Sequence, residues 1–480
     1  MIYNNVILSN SLKKVENTYF DKYCIDSRVL MENAANALFS VVIDYINKDD
    51  HICFVCGSGN NGGDGYACAC LLVNMGYNVS VVCNDLPKTE NCIYYYNKYI
   101  SSSGLFYNCS INEEAFDIII GSDIIVDCLY GIGFKGILNE IDSSIVNVIN
   151  DSDAFVISCD VPSGTIADLA EIGNIAVCAD ITVVFTALKA SNVSYPAFEY
   201  NGEVVLKDIG IPKEILDNVS DDDIIILSNC NNNKLPKRNT NSHKGTFGTL
   251  VMYCGSENMI GAAVFAARAA LRSGVGLIKL STEDSALKKL QDKLNDVVFC
   301  KLSDCVETGS AYLLGCGLSR SLDDYIDKIL FDVKKPIVID ADGINYLSTH
   351  IDVLKNMTAR KILTPHPAEM ARLLNVTVSE VNSHRIAIAK EFAKKFDCIV
   401  VLKGARTIVA SSNSVAINMS GSDSLAKGGS GDMLAGMIGA YLSMGIEPFD
   451  AARLGCYFHG RIGEISPYYE SIDEMIDKIT

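Results

Sequence analysis

Two glycine- and aspartate-rich loops, far apart along the chain, constrain the fold more than any other feature. They are Gly57-SGNNGGD-Gly65 near the start and Gly428-GSGDMLA-Gly436 near the end. Each follows β-type sequence and leads into small and apolar residues typical of a helix. Free N–H groups at a helix N-terminus suit phosphate binding, and glycines let a ligand approach the backbone closely. We therefore expect two phosphate-binding sites, in two domains.

Short apolar runs that alternate with helical segments predict an α/β fold in both halves. In the first half a helix with apolar residues from Leu30 to Ile46 precedes strands at Ile52–Cys56, Asn78–Cys83, Ile124–Cys128, Phe155–Cys159 and Ile181–Phe185. In the second half strands are predicted at Gly248–Cys254, Gly276–Leu280, Ala311–Leu314, Ile337–Asp340, Lys361–Thr364 and Cys398–Leu402, with a long helix at Ala262–Ser273. Strands that are apolar on both faces are typical of parallel sheets covered by helices. We expect two three-layer αβα domains.

A change of composition between residues 213 and 240 separates the two halves. This stretch holds Asp221–Asp223, the polar run Asn231–Lys234 and Pro236, with one short strand candidate between them. We place the first domain at residues 1–214, a linker at 215–238 and the second domain at 239–480. A length of 480 residues agrees with more than one domain.

Charge and hydropathy exclude several classes of protein. The net charge of −18 argues against a nucleic-acid surface, which needs clustered lysine and arginine. No stretch reaches the roughly 18 uncharged apolar residues of a membrane span. Residues 1–10 lack the basic and apolar regions of a signal peptide. We expect a cytoplasmic protein that binds neither nucleic acid nor membrane.

The first glycine loop carries polar residues at unusual positions. Gly57, Gly59 and Gly62 form a GxGxxG pattern after a strand, which is typical of Rossmann-like dinucleotide binding. However, Asn60, Asn61 and Asp64 stand where a plain dinucleotide turn would use small apolar residues. An amide oxygen can bind a cation, and a carboxylate can accept from an N–H or hydroxyl group. We therefore expect these side chains to contact a ligand.

Two further carboxylates stand at the ends of predicted strands. Asp127 precedes the glycine loop 131–136, and Asp160 precedes Val161-PS-Gly164. Ligands of open parallel sheets bind at the carboxyl ends of the strands, so Asn61, Asp127 and Asp160 can converge on one site. The alternative is that each aspartate simply caps a helix or a turn.

Four segments of the first half, taken together and in this order, resemble the NAD(P)H-hydrate epimerase family. They are GSGNNGGDG, VDCLYGIGFKG, SCDVPSG and ADITVVFTALK, and the similarity covers about residues 10–212. The resemblance implies that the damaged dinucleotide is bound by Asn60, Asn61, Gly62, Gly63, Asp64, Gly131, Ile132, Gly133, Phe134, Lys135, Gly136, Ile137 and Asp160. It also implies a potassium ion held by Asn61, Asp127 and Ser163. Asp160 is then suited to acid–base catalysis at the hydrated C6 carbon, with Lys189 as its candidate partner.

The second glycine loop predicts phosphoryl chemistry. Gly429, Ser430 and Gly431 offer N–H donors, and Asp432 stands at the start of the helix. An aspartate there can accept a hydroxyl proton while the loop stabilises a transferring phosphoryl group. This arrangement is typical of ribokinase-like small-molecule kinases. The alternative is a glycine-rich turn with an aspartate near a helix N-terminus.

Five segments of the second half resemble the ADP-dependent NAD(P)H-hydrate dehydratase family over about residues 240–480. They are HKGTFG, GAAVFAARAALRSGVG, DADGIN, LTPHPAEMARLL and VLKGART, in which Ala368 departs from the usual glycine. The resemblance implies a ribokinase-like domain in which the AMP portion of the nucleotide is bound by Lys403, Gly404, Ala405, Arg406, Thr407 and Gly431. It implies that Ala262, Gly317, His366 and Asp432 contact the hydrate, with Asp432 as the catalytic residue. Glu369 resembles a position that organises magnesium-bound phosphate.

Together the two resemblances imply a bifunctional repair enzyme for NADH-hydrate and NADPH-hydrate. The first domain would interconvert the R and S hydrates, and the second would dehydrate the S form with ADP and Mg²⁺, releasing AMP and phosphate. Two alternatives stay open at this point: a vitamin or sugar kinase, and a non-catalytic binding module in the first half. We also expect a homo-oligomer.

Overall fold

The computed structural model describes residues 5–112, 114–220, 222, 224–228, 235–300, 308–319 and 323–479. The chain forms two compact units, residues 1–225 and 226–480. The predicted linker lies partly outside the described residues, which omit 221, 223 and the polar run 231–234. Within the described parts of the chain, no helix is long and apolar enough to cross a membrane.

The first unit alternates strands and helices through most of its length. Its strands are β1 (Val6–Ile7), β2 (His51–Cys56), β3 (Asn78–Cys83), β4 (Leu105–Asn108), β5 (Ile124–Cys128), β6 (Phe155–Cys159), β7 (Thr165–Ile166), β8 (Glu171–Ile172), β9 (Ile181–Phe185) and β10 (Glu203–Lys207). Its helices are α1 (Ser9–Tyr23), α2 (Ser27–Val42), α3 (Asn60–Asn74), α4 (Glu90–Ser101), α5 (Glu114–Ile120), α6 (Glu140–Asp151) and α7 (Lys213–Leu216). A further strand, β11 (Ile224–Ser228), lies in the predicted linker.

A seven-stranded parallel sheet forms the centre of the first unit. Its order is β10-β9-β6-β5-β2-β3-β4, so the chain reverses direction across the sheet next to β2. Side chains of β2 alternate between two cores: Phe54 packs on one face, and Cys53 and Val55 pack on the other. The prediction of five strands that are buried on both faces is confirmed, and the edge strands β4 and β10 complete the sheet.

The predicted opening helix is confirmed from Leu30 to Val42, but it ends earlier than predicted and is not the first helix of the chain. Helix α2 stops at Val42, and Ile46 lies beyond it. Asp26 fixes the start of α2 by accepting a hydrogen bond from the backbone N–H of Arg28. A separate helix, α1, precedes it and buries Leu12, Val15 and Tyr19 among many polar residues. That dilute apolar stripe explains why the sequence pattern did not reveal α1.

The second unit repeats the α/β principle with a different sheet. Its strands are β12 (Thr249–Tyr253), β13 (Leu277–Ser281), β14 (Val298–Cys300), β15 (Ala311–Leu314), β16 (Ile337–Ile339), β17 (Lys361–Leu363), β18 (Ile399–Leu402), β19 (Ile408–Ala410) and β20 (Val415–Asn418). Its helices are α8 (Ile260–Arg272), α9 (Asp284–Gln291), α10 (Asp323–Asp332), α11 (Asp342–Leu347), α12 (Val353–Asn356), α13 (Pro367–Leu374), α14 (Val378–Ser383), α15 (Arg385–Phe396), α16 (Ser430–Ser443), α17 (Pro448–Ile465) and α18 (Ile472–Asp477).

The sheet of the second unit is parallel at its centre and antiparallel at one side. These strands lie in the order β20-β19-β18-β17-β16-β15-β12-β13-β14. Strands β12 to β18 pair in parallel, whereas β18, β19 and β20 pair antiparallel. Strands β19 and β20, which were not predicted, are short apolar runs whose polar connection contains no glycine. Helix α16 packs against α8 at Gly436, where an added Cβ would lie 2.1 Å from the carbonyl oxygen of Ala266.

Candidate active sites of the two units

A cavity of about 790 Å³ opens at the carboxyl ends of the strands in the first unit. Its walls come from the segments that follow β2, β3, β5, β6 and β9, together with α1 and α2. This is the edge at which open parallel sheets bind their ligands. We call it the first-unit cavity.

Most of the residues predicted to bind the dinucleotide line this cavity. They are Asn60, Asn61, Asp64, Gly131, Ile132, Gly133, Phe134, Lys135, Ile137 and Asp160. Gly62 and Gly63 instead shape the loop, because an added Cβ on Gly62 would lie 1.9 Å from the carbonyl oxygen of Gly57, and one on Gly63 would meet the side chain of Met31. Gly136 has φ +88, so it serves the turn between Lys135 and Ile137.

Asp160 is fixed in place by its backbone and by a buried lysine. It has φ +66, and its backbone N–H donates to the carbonyl oxygen of Val183 at 2.8 Å. Lys189, only 1% exposed, forms an ion pair with the Asp160 carboxylate and donates to the carbonyl oxygen of Phe185 at 2.9 Å. The backbone N–H of Phe185 also donates to Asp160, at 3.1 Å. The carboxylate is therefore oriented at the cavity wall by two groups, the Lys189 ammonium and the Phe185 N–H, while Val183 holds the Asp160 backbone.

Two of the three residues predicted to hold potassium, Asp127 and Ser163, are buried and hydrogen-bonded to each other. The Asp127 carboxylate accepts from the backbone N–H of Ser163 at 2.9 Å, from its hydroxyl at 2.6 Å and from the Ser158 hydroxyl at 2.9 Å. Burial raises the pKa of Asp127, against these hydrogen bonds. The buried amide nitrogen of Asn61 has no hydrogen-bond partner in the described residues, and Gly131 lies against its amide oxygen.

Within the part of the chain that the structure describes, no lysine, arginine or histidine forms an ion pair with two carboxyl groups of the first-unit cavity. They are those of Asp64, on α3, and Glu16, on α1, and both residues line the cavity. Burial, and then repulsion by Asp160, raises the pKa of both side chains, that of Asp64 well above its ordinary value. Sequence reasoning missed Glu16, because α1 carries no motif and this residue looks like any polar position on a surface helix.

The second unit gathers its predicted catalytic residue with three other groups, which we call the Asp432 cluster. It consists of Cys316, Asp340, Lys403 and Asp432. One ligand atom each of Cys316, Asp340 and Asp432 lies within 4.8 Å of the others. Burial raises the pKa of Asp432 to about 6, and the Asp340 carboxylate adds to the rise. Asp432 stands in the first turn of α16, where the helix dipole favours negative charge.

Lys403 joins this cluster to the loop after β17. Its ammonium group lies 2.8 Å from Asp340 Oδ1 and 3.7 Å from Glu369 Oε2. Although burial opposes it, these two carboxylates hold the pKa of Lys403 above its ordinary value. An added Cβ on Gly431 would lie 3.3 Å from Lys403 Nζ, so the lysine reaches the glycine loop. Asp340 also accepts from the Thr364 hydroxyl at 2.7 Å. Sequence reasoning did not assign Asp340, although its place directly after a buried strand is the signal that identified Asp160.

His366 and Glu369 form a capping box at the start of α13. The Nδ1 atom of His366 accepts from the backbone N–H groups of Ala368 and Glu369, at 3.1 and 3.3 Å. The backbone N–H of His366 donates to Glu369 Oε2 at 2.7 Å. Because Nδ1 is an acceptor and burial lowers the pKa of His366, its Nε2 carries the proton. Ala368 lies in this helical turn without a positive φ, so its methyl group strains nothing.

The other predicted residues of the second unit adjoin the same region. Gly317 has φ +64, and an added Cβ there would lie 2.8 Å from the Cβ of Ala262. The loop after β18, which is predicted to bind the nucleotide, turns through Gly404 (φ +135) and Arg406 (φ +53). It is closed by the Thr407 hydroxyl, which donates to the Gly404 carbonyl oxygen at 2.8 Å. Ala405 lies in this turn.

A half-buried histidine contacts Ser430 in the second glycine loop. The Nε2 atom of His459, on α17, lies 3.0 Å from the hydroxyl oxygen of Ser430. Burial lowers the pKa of His459 to about 4, so the imidazole is neutral at physiological pH. Sequence reasoning missed this residue, because a histidine inside an amphipathic helix gives no signal of its partner.

Two known families match the two units in order. The first matches the model of the YjeF-related protein N-terminus over residues 27–191. The second matches the NAD(P)H-hydrate dehydratase model over residues 250–476. A solved structure similar to the second unit is the ADP/ATP-dependent NAD(P)H-hydrate dehydratase from Bacillus subtilis co-crystallised with ATP and Mg²⁺. It is 29% identical and has a TM-score of 0.46, covering 51% of this chain and 93% of that chain.

Full-length relatives extend the match over both units. The bifunctional NAD(P)H-hydrate repair enzyme Nnr of Thermofilum pendens is 30% identical over 480 residues, which are 95% of this chain and 91% of the relative. The enzyme of the same name from Moorella thermoacetica is 31% identical over 470 residues, covering 92% and 89%. The chain belongs to the family of bifunctional NAD(P)H-hydrate repair enzymes.

Proposed function

We propose that this chain repairs hydrated NADH and NADPH through two activities in sequence. The domain at residues 1–214 interconverts the R and S hydrates, and the domain at 239–480, after a linker at 215–238, dehydrates the S hydrate with ADP. One observation carries the proposal: each unit places its predicted catalytic aspartate close to a lysine. Asp160 lies at the carboxyl end of a parallel sheet, beside Lys189, and Asp432 lies at the start of the helix after the second glycine loop, near Lys403. The family relationship supports the same pair of reactions.

In the first domain, different parts of the cavity wall bind the dinucleotide and carry out the chemistry. The loop of Asn60, Asn61 and Asp64 and the loop 131–137 hold the dinucleotide. Asp160, oriented by Lys189, faces the hydrated ring and exchanges a proton with the C6 hydroxyl. Spontaneous hydration gives both epimers, so an epimerase lets one dehydratase clear the whole pool.

The buried oxygens beside the cavity fit the potassium ion expected from the sequence. Asp127 is a fully buried carboxylate, and no lysine or arginine among the described residues forms an ion pair with it. The hydroxyl oxygen of Ser163 and the amide oxygen of Asn61, which lies against Gly131, supply further oxygen atoms that can bind a cation. When bound, a monovalent cation would supply the positive charge that this site lacks. Asp127, Ser163 and Asn61 would hold it.

In the second domain Asp432 is the base. With a pKa of about 6 it is ionised at neutral pH but still basic enough to take the C6 hydroxyl proton. The hydroxyl oxygen then attacks the terminal phosphoryl group of the nucleotide, and AMP leaves when that nucleotide is ADP. Departure of phosphate from C6 and loss of a C5 proton restore the dihydropyridine. His366 offers its Nε2–H, and Ala262 and Gly317 leave room for the hydrate.

The nucleotide is held by residues 403–407 and by Gly431 at the helix N-terminus. Lys403 supplies a positive charge near the transferred phosphoryl group. The neighbouring carboxylates of Asp340 and Glu369 neutralise part of that charge. The carboxylates of Asp340, Glu369 and Asp432 are ligands that suit Mg²⁺, whereas the Cys316 thiol does not. A hydrogen bond with Cys254 and burial hold the pKa of Cys316 well above its ordinary value, so it stays protonated. Magnesium would supply charge neutralisation on the phosphates.

To test this, the chain is incubated with a mixed preparation of R and S hydrates, ADP and Mg²⁺. Recovery of dihydronicotinamide absorbance and release of phosphate are measured together. Wild type should recover all of the absorbance, with one phosphate per molecule. Asp160→Asn should stop once the S hydrate is consumed, apart from slow spontaneous epimerisation, and Asp432→Asn should recover none. A wild type that recovers nothing with ADP or ATP would contradict the proposal and favour a vitamin or sugar kinase. The homo-oligomer and the cytoplasmic location expected from the sequence stay predictions.

A further inference from the structure

The first-unit cavity extends past the residues that the proposed chemistry uses, to the segment after β3. Asp85 and Lys88 line this end of the cavity and form an ion pair with each other. Their side chains are 50% and 67% exposed. The backbone N–H of Lys88 donates to the carbonyl oxygen of Ser58 at 2.8 Å, which ties this segment to the first glycine loop. Two opposite charges are therefore held beside the loop that is proposed to bind the dinucleotide, at a place that solvent reaches.

The order of the strands sets which part of a dinucleotide can reach this ion pair. Asp160 follows β6, the loop 131–137 follows β5, the first glycine loop follows β2, and Asp85 follows β3; these four strands are consecutive neighbours in the sheet. Neighbouring strands lie about 4.8 Å apart, so the segments after β6 and β3 are roughly 14 Å apart. With the hydrated ring at Asp160 and the diphosphate on the two loops, an extended dinucleotide continues past β2. Its adenosine ribose then lies at the segment after β3.

The adenosine ribose is the part of the molecule in which the two hydrates differ. NADH-hydrate carries a 2′-hydroxyl group there, and NADPH-hydrate carries a 2′-phosphate group. A carboxylate accepts a hydrogen bond from a ribose hydroxyl but repels a phosphate, whereas an ammonium group attracts the phosphate. In Rossmann-like folds an acidic residue about 20 residues beyond the glycine loop contacts this hydroxyl. Asp85, directly after the strand that follows the loop, stands at the corresponding place.

We propose that Asp85 and Lys88 form the subsite for the 2′ position of the adenosine ribose and allow one cavity to accept both hydrates. The inference rests on the proposed function of the first domain. With NADH-hydrate, Asp85 accepts a hydrogen bond from the 2′-hydroxyl group and stays paired with Lys88. With NADPH-hydrate, Lys88 leaves Asp85 and binds the 2′-phosphate. An exposed ion pair opens at little cost, so the same two residues serve both substrates.

The comparison with the other ion pair of the cavity supports this role. Among the described residues, two ion pairs join side chains that both line the cavity: Lys189 with Asp160 and Lys88 with Asp85. The Lys189 side chain is 1% exposed and also donates to the carbonyl oxygen of Phe185, so that pair keeps one arrangement. The pair after β3 is solvated and can exchange partners. The cavity thus combines a fixed pair at the reacting ring with an adaptable pair at the variable ribose.

The test follows epimerisation by the full chain without ADP, so that the second domain does not consume the S hydrate. Purified R forms of NADH-hydrate and NADPH-hydrate are incubated separately, the R and S forms are separated by chromatography, and the spontaneous rate is subtracted. The quantity compared is kcat/KM for NADPH-hydrate divided by kcat/KM for NADH-hydrate. This ratio should rise by about fivefold or more in Asp85→Asn and fall by about fivefold or more in Lys88→Met. A merely structural loss would lower both rates and leave the ratio unchanged.

Lys22→Met and Glu214→Gln are the matched controls. These two residues form another exposed ion pair of the first unit, and neither lines the cavity. Both controls should keep the wild-type ratio. A change of less than about fivefold in either cavity variant, or a change in the opposite direction, would overturn the inference while the proposed function stands. A wild type that epimerises neither hydrate would overturn both.

Discussion

In the first unit the buried Lys189 pairs directly with the predicted catalytic Asp160, whereas in the second unit Lys403 pairs with Asp340 beside Asp432, the predicted catalytic residue. No ion pair joins Asp432 to a described residue, and its pKa rises to about 6. The first arrangement holds a carboxylate in one orientation, and the second leaves a carboxylate basic. In the proposed reactions, the carboxylate with which the lysine pairs thus distinguishes the site of reversible proton exchange from the site that activates a hydroxyl group.

The largest expected effect follows from breaking the pair in the first unit. In Lys189→Met the Asp160 carboxylate loses its buried partner, and we expect the free energy of unfolding to fall by about 3–5 kcal/mol. Epimerase activity should be lost with it. Thermal or urea unfolding of the first unit measures the change. Lys88→Met is the matched control, because Lys88 also lines the cavity but pairs with Asp85 in solvent. It should cost no more than about 1 kcal/mol, and equal losses in the two variants would contradict the comparison.

In the second unit we expect a smaller change in the free energy of unfolding, and of opposite sign, when Asp432 is replaced by asparagine. The pKa of Asp432 in the folded state, about 6, lies above its ordinary value of 3.8, so the folded state holds this proton more tightly than the unfolded state. Stability is therefore lost as the pH rises through about 6. Asp432→Asn should abolish dehydration yet raise the free energy of unfolding by about 1–3 kcal/mol at pH 8. At pH 4 the gain should largely disappear. A variant that is less stable than wild type at pH 8 would show that the charge of Asp432 is compensated.

The smallest effect is expected at the position where the chain departs from the family pattern. Ala368 lies in the first turn of α13 without a positive φ, so glycine is not required there. Ala368→Gly should leave dehydratase kcat/KM within about twofold and lower the stability by about 0.5–1 kcal/mol. Steady-state kinetics and thermal unfolding measure both. A gain in activity of tenfold or more would mean that the methyl group obstructs the site.

How far the sequence predicts these sites depends on where each residue stands in the chain. Asp127 and Asp160 could be predicted because each ends a buried apolar strand, and parallel strands bring their carboxyl ends together. The glycine loops could be predicted because only a backbone without a Cβ fits positions such as Gly62. These features are local in the sequence.

The position of Glu16 in the cavity and the pairing of Lys403 with Asp340 could not be predicted from the sequence, because both depend on contacts between distant parts of the chain. Glu16 comes from a helix with a weak apolar stripe, and the other carboxyl groups that line the cavity, those of Asp64, Asp85 and Asp160, are 48 or more residues away in the sequence. Lys403 could have paired with any of three carboxylates, and the choice of Asp340 depends on the packing of β16, β17 and β18. Strands β19 and β20 escaped prediction similarly, because three or four apolar residues do not indicate the direction of pairing.

The most direct test of the account is the pH dependence of kcat/KM for the S hydrate in wild type and Asp340→Asn. Wild type should lose activity on the acid side with an apparent pKa near 6, the value of Asp432. In Asp340→Asn the repulsion disappears and Lys403 is released toward Asp432, so the limb should move to lower pH by roughly one unit. Asp352→Asn, which removes an exposed carboxylate that pairs with Lys355, should leave the limb in place. An acid limb that stays near pH 6 or moves upward in Asp340→Asn would contradict the claim that the allocation of the lysine sets the basicity of Asp432.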